Sequence, residues 1–154
     1  MVVVILCFFI VAGISFVGYS FSCYYKKRTK FFSDYLDFLN HAKTQILCFQ
    51  TRRSNIFNGF NAAGSDFENL IKNVLEKDNL KRYSYISESE WENVVSELKN
   101  IGKTDVENEC NSIEVLKTKV VAMHEKAERE SEKKSPLCIK LSVALGVFIA
   151  IMII

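Results

Sequence analysis

The sequence predicts an all-α protein, a helical water-facing domain held between two membrane-spanning helices. Three observations predict it. Apolar residues recur at steps of three and four through the middle of the chain, and no alternating strand pattern competes with them. Helix-start signals, a serine or threonine followed three residues later by glutamate, stand at 87–90 and 104–107 among other places. Both ends are apolar, for residues 1–25 carry no charged side chain and residues 137–154 carry only Lys140. The expected organisation is an N-terminal span at 1–25, a cytoplasmic helical domain of about five to six helices at 26–136, and a C-terminal span at 137–154.

The first segment, MVVVILCFFIVAGISFVGYSFSCYY, exceeds the roughly 20 residues a helix needs to cross hydrocarbon. No basic residue precedes it, no small-x-small cleavage site stands out, and the cluster Lys26, Lys27, Arg28 and Lys30 follows it, so a retained anchor is expected. The helix should continue past that cluster with Phe32, Tyr35, Leu36, Leu39, Ala42, Ile46 and Phe49 on one face. A break is expected around 51–54, then a short helix through Ile56, Phe57 and Phe60 ending near Gly64. Ser65 is placed to cap a helix carrying Phe67, Leu70, Ile71, Val74 and Leu75 inward. Residues 77–86 read as a loop. The box Ser87 to Glu90 opens a helix with Trp91, Val94, Val95, Leu98 and Ile101 inward. Gly102 stands where a left-handed residue is wanted, and Thr104 to Glu107 reads as a second capping box in a turn that includes Asp105.

The last helix carries Val106, Cys110, Ile113, Leu116, Val120, Met123 and Ala127 along one stripe. Beyond Ala127 the pattern gives way to acid-before-base pairs four apart, Glu125 to Arg129 and Glu130 to Lys134, suited to a solvated helix, and Pro136 is expected to interrupt it. The C-terminal span is about 27 Å long at 1.5 Å per residue. Lys140 lies near its cytoplasmic end, where its side chain can reach the headgroups. The basic residues Lys26, Lys27 and Arg28 after the first span and Lys133 and Lys134 before the second both put the central domain inside and both termini outside. Gly18-x-x-x-Ser22 and Ser142-x-x-x-Gly146 are small-x-x-x-small pairs that let helix backbones approach closely in lipid, against each other or against partner spans.

Composition narrows the function. Residues 26–136 hold 19 of the 20 Lys and Arg and all 18 Asp and Glu, so the domain lacks the basic excess of a nucleic-acid binder. The five cysteines, Cys7, Cys23, Cys48, Cys110 and Cys138, form no CxxC and read as reduced and structural. His41 and His124 have no ligand partner at helical spacing, so no metal site is expected. Gly102-Lys103-Thr104 resembles the end of a phosphate loop, but Glu97 stands where its first glycine belongs and a helix stands where a strand should precede. Glu88, Glu90, Glu92, Glu107 and Glu109 read as solvated helix starts. No catalytic group, cofactor or small-molecule substrate is expected.

The arrangement of several elements resembles the stage III sporulation protein AB family. They are Tyr24, Tyr25 and Arg28 at the first boundary, Trp91 in its helix, the turn Ile101-Gly102-Lys103-Thr104-Asp105, Ala127-Glu128-Arg129, and Lys140-Leu141-Ser142 with Gly146. There are departures: Gln45-Ile46 and Thr51-Arg52-Arg53 replace Glu-Ile and Thr-Pro-Leu elements, Glu109 stands for a usual glutamine, and Ser142 for a glycine. The resemblance implies a non-enzymatic platform or adaptor in the channel joining mother cell and forespore, in the mother-cell membrane around the forespore. Its cytoplasmic domain would be similar to those of the inner-membrane platform protein F of type II secretion and type IV pili. The implied partners are a secretion-type ATPase, stage III sporulation protein AA, and other channel membrane proteins. Exposed turn cations, Arg52, Arg53 and Lys103, are the candidate docking residues. A helical signalling module moving through the last helix is the alternative reading.

Overall fold

A computed structural model describes residues 2–49, 52–76 and 80–153, with side chains described from Cys7 onward. Every regular element among them is helical: α1 Val2–Phe49, α2 Arg53–Asn58, α3 Asp66–Val74, α4 Glu88–Asn100 and α5 Val106–Ile153. Thr51 of the expected break, and 77–79 of the expected loop, lie outside the described residues; the rest of that loop, residues 80–86, is irregular with a turn. The residues fall into two compact units, Met1–Thr29 with Lys126–Ile154, and Lys30–Glu125, so that α1 and α5 each contribute to both.

The second unit is built on aromatic rings. Phe31, Phe32, Tyr35 and Phe38 of α1 are each at most 2% exposed, which makes Phe31 and Phe38 core residues outside the seven-residue face read from the sequence. Phe67 of α3 sits 5.2 Å from Phe31 and 5.1 Å from Tyr35, while Phe38 meets Phe57 at 5.2 Å and Phe60 at 5.3 Å. Edge-to-face and tilted rings at these separations add specific attraction to the burial of apolar area. Phe49, expected inward, is exposed because the helix face turns out of the core after Ile46. Tyr83 and Tyr85, in the segment read as a bare loop, stack at 5.5 Å and close the core beside Trp91. Their hydroxyls donate to the Asp66 carbonyl at 2.8 Å and to the Asp66 carboxylate, which satisfies buried phenols that would otherwise lose their water. Burial, reinforced by Asp66, pushes both phenols upward from the ordinary tyrosine value.

The caps of α3 and α4 form as the sequence reads. Ser65 accepts the Glu68 amide, and Ser87 and Glu90 make the reciprocal capping box. Two other expectations are corrected. α5 starts at Val106, and the residue whose side chain accepts its early amide is Asp105, at 3.3 Å from the Asn108 nitrogen, rather than Thr104. Thr104 fails as the cap because its hydroxyl donates at 2.7 Å to Glu109 instead. Pro136 does not end the helix, since α5 runs unbroken through it. One proline removes an amide donor, but residues on both sides of it pack on α1 within the first unit, Ser135 before it and Ser142 and Gly146 after it.

In that unit α1 and α5 run antiparallel. Cys7 pairs with the Ala150 carbonyl, Val11 meets Gly146, Gly18 meets Ser142, Ser22 meets Ser135 and Arg28 meets Glu130. The inward side of α5 is a stripe of small residues, Ala127, Ser131, Ser135, Cys138, Ser142 and Gly146, buried or half-buried along its length. The charged run read as a solvated helix therefore carries a packed face through it, with Glu128, Glu132, Lys133 and Lys134 on the exposed sides.

Candidate interaction site

The turn between α4 and α5 is organised by Glu109. Its carboxylate accepts the Gly102 amide at 2.8 Å, the Thr104 amide at 3.3 Å and the Thr104 hydroxyl at 2.7 Å, and it is 4% exposed. It is not the solvated helix-start residue expected of it, because the turn folds back over the first turn of α5 and brings its unpaired amides to the carboxylate. Gly102 has φ +78°, a left-handed conformation that disfavours a Cβ, and a Cβ there would lie 3.0 Å from Arg53 Cγ.

Arg53 reaches this turn from the start of α2. Its guanidinium donates to the Lys99 carbonyl at 2.6 Å and the Leu98 carbonyl at 3.4 Å, and lies 5.5 Å over the Phe57 ring. It thus satisfies carbonyls at the C-terminal end of α4, where a cation is also favoured by the helix dipole. Of the three candidate docking cations, Arg53 is committed to the fold. Arg52 is exposed, and Lys103 is exposed with its ammonium 3.2 Å from Asn100. Since Arg53 touches Gly102, these two cations flank one contact, with exposed Val106 beside them. Asp105, the remaining turn residue, is exposed and its carboxyl is held below the ordinary range by the Asn108 side chain and amide.

A groove of about 630 Å³ runs from this turn along α5, lined among others by Ile101, Asn108, Asn111, Val115, Leu116 and Lys119. Val115 is 74% exposed beside it. Among the described residues no group of three His, Cys, Asp or Glu is placed to hold a metal, and the five cysteines are free thiols. His41 is half-buried 5.9 Å from Phe60, with its Nε2 unpaired.

The span residues fall at close contacts. A Cβ on Gly18 would meet the Ser142 Oγ at 1.9 Å and the Cys138 carbonyl at 2.9 Å, and a Cβ on Gly146 would meet the Val11 Cα at 3.2 Å. Ser22 bonds Ser135, a residue that the sequence reading did not single out, although four-residue spacing from Ala127 through Ser131 to Ser135 marks it. Of the boundary cations, Lys26, Lys27 and Lys140 are exposed, whereas Arg28 is ion-paired with Glu130 at 2.7 Å and Lys134 lies 5.5 Å over the Tyr25 ring. Helices α1, from Cys7 on, and α5 each hold an 18-residue stretch, of mean hydropathy 1.6 and 2.3, long and apolar enough to cross a membrane.

No curated protein and no solved structure matches the chain. The family model described as Stage III sporulation protein AB matches residues 58–154, which takes in α3, α4, the Glu109 turn and all of α5 and leaves α1 outside. With that match covering more than half its length, the chain belongs to the stage III sporulation protein AB family and has a role in sporulation.

Proposed function

We propose that this protein is a non-enzymatic membrane platform of the channel between mother cell and forespore, and that the unit Lys30–Glu125 docks a secretion-type ATPase, stage III sporulation protein AA. The observation that carries this reading is the continuity of two 48-residue helices, each apolar at its chain end and each part of the helical unit at the other. Such a chain ties a water-facing surface to a membrane without supplying reactive groups. The basic residues flanking both apolar stretches favour the unit inside and both termini outside. The docking surface is the end of the unit that exposes Arg52, Lys103 and Val106. A signalling role would call for an outward sensing region, which no observation favours.

The test is capture of the ATPase from detergent-solubilised sporulating cells by the tagged full-length chain. Reversal of charge in Arg52→Glu with Lys103→Glu is expected to reduce recovery several-fold, while Lys81→Glu leaves it unchanged. Full recovery by the double variant sinks this surface. Reproducible absence of the ATPase from wild-type captures, with the bait folded, sinks the platform reading.

A further inference from the structure

We propose that Lys133 and Lys140, on the outward side of α5, hold the phosphate of an anionic phospholipid headgroup, with Lys126 extending the same basic face. The proposal rests on α5 entering a membrane. Lys126, Lys133 and Lys140 are spaced by seven, which at 100° per residue keeps them within about 40° of one another. Lys133 lies roughly 140–160° around the helix from Ser131, Ser135 and Cys138, the inward stripe, so the lysines point away from α1. All three are exposed, and among the described residues none has an ion-pair partner. The other cations nearby are engaged differently, Arg28 with Glu130 and Lys134 with Glu130 and Tyr25. Glu128 and Glu132 sit about 100–140° around from Lys133, and the nearer acid, Glu130, about 60° around, is taken up by Arg28 and Lys134.

Lys140 makes the requirement specific. It is the only charge in residues 137–154, and its neighbours Leu137, Leu141 and Val143 are exposed apolar side chains, 56%, 61% and 40%, as expected of a helix face in contact with lipid. An ammonium at that depth needs an anion or a route to water. Helical side chains lean toward the N-terminus, so the Lys140 stem points toward Lys133, whose Cα lies about 10.5 Å away along the axis. Lys140 reaches a phosphate between the two ammonium groups along its ordinary lean and Lys133 by swinging its flexible four-carbon stem the other way, and the acyl chains then cover the apolar face below. The surrounding field has the same sign: Met1–Thr29 with Lys126–Ile154 carries 8 Lys and Arg against 3 Glu, while Lys30–Glu125 carries 12 against 15 acids.

The full-length chain, reconstituted in vesicles of phosphatidylcholine and phosphatidylglycerol, is released from them and its bound lipids are counted by native mass spectrometry. Wild type is expected to carry phosphatidylglycerol several-fold above its fraction in the vesicles, and Lys133→Gln with Lys140→Gln to fall to that fraction. Lys133→Arg with Lys140→Arg retains the enrichment, and Lys81→Gln leaves it unchanged. Should the glutamine pair lose helix by circular dichroism, Lys140→Gln alone carries the comparison. Undiminished enrichment in the glutamine variants overturns the proposal, as does lipid displacement by millimolar inorganic phosphate, which assigns the site to a free anion. Absence of enrichment in wild type also overturns it, leaving the basic face to an acidic protein. Alkaline extraction separates the two failures, because a chain stripped from the vesicles fails the membrane reading itself.

Discussion

Glu68 and Glu109 perform the same task in different turns. Glu68, 5% exposed, accepts the Gly64 amide at 2.7 Å and the Ala62 amide at 3.1 Å, closing the turn before α3 as Glu109 closes the turn before α5. Removing the acceptor leaves the part-buried Gly102 and Thr104 amides without their partner, so Glu109→Ala is expected to cost about 1–3 kcal/mol. Glu109→Gln, which keeps an acceptor oxygen, should cost less than half as much. Thermal unfolding of the full chain in detergent, followed by fluorescence of the single tryptophan, Trp91, reads both. Gly102→Ala forces a Cβ into left-handed backbone against Arg53 and is expected to cost about 1–2 kcal/mol by the same measurement. The Glu68 carboxyl is held below the ordinary glutamate value, first by Lys72 and then by the Gly64 amide, and Glu114 is lowered by Lys43. A depressed folded pKa means stability is fully present above the ordinary value and is lost as pH falls through the folded one. Denaturant midpoints are therefore expected to hold from pH 7 down to about pH 5 and to drop toward about pH 3, with a shallower drop in Glu68→Gln.

At the scale of elements, α1 and α5 meet through small side chains, and close approach is what their packing depends on. Gly18→Leu cannot be accommodated beside Ser142 without separating the helices, because the contact includes the Cys138 backbone carbonyl as well as a side chain. With the native cysteines replaced by alanine, a Ser22→Cys, Ser135→Cys pair is expected to oxidise to an intramolecular disulfide, and Gly18→Leu to reduce its yield. Full yield in the leucine variant would mean the pair forms without close packing. Pro136→Ala restores a backbone donor within α5 and is expected to raise the unfolding temperature of the full chain. An unchanged or lower value would show that the surrounding helix already accommodates the missing bond.

For the whole molecule, charge divides with the compact units rather than with hydropathy alone. Residues 26–136 are nearly neutral, but the unit bounds give a basic group around the apolar stretches and a net acidic group in Lys30–Glu125. Charge reversal at Arg52 and Lys103 acts on the Lys30–Glu125 unit, and neutralisation of Lys133 and Lys140 acts on the other. A platform that needs both loses ATPase recovery in the first variant and phosphatidylglycerol in the second, each without the other.

The sequence by itself determined the helical class, the apolar ends, and the caps at Ser65 and Ser87, because periodicity and capping act over three or four residues and are written locally. Tertiary structure decided the rest. Arg53 reads as a surface cation until α4 brings its last carbonyls to it, and Glu109 as a solvated acid until the turn folds back upon it. Pro136 reads as a helix stop, yet α5 continues through it where residues on both sides pack on α1. Ser135 reads as part of a polar run until it faces Ser22, 113 residues away in the chain. A polar group's role is set by the partner that replaces water, and no spacing within one helix names a partner on another.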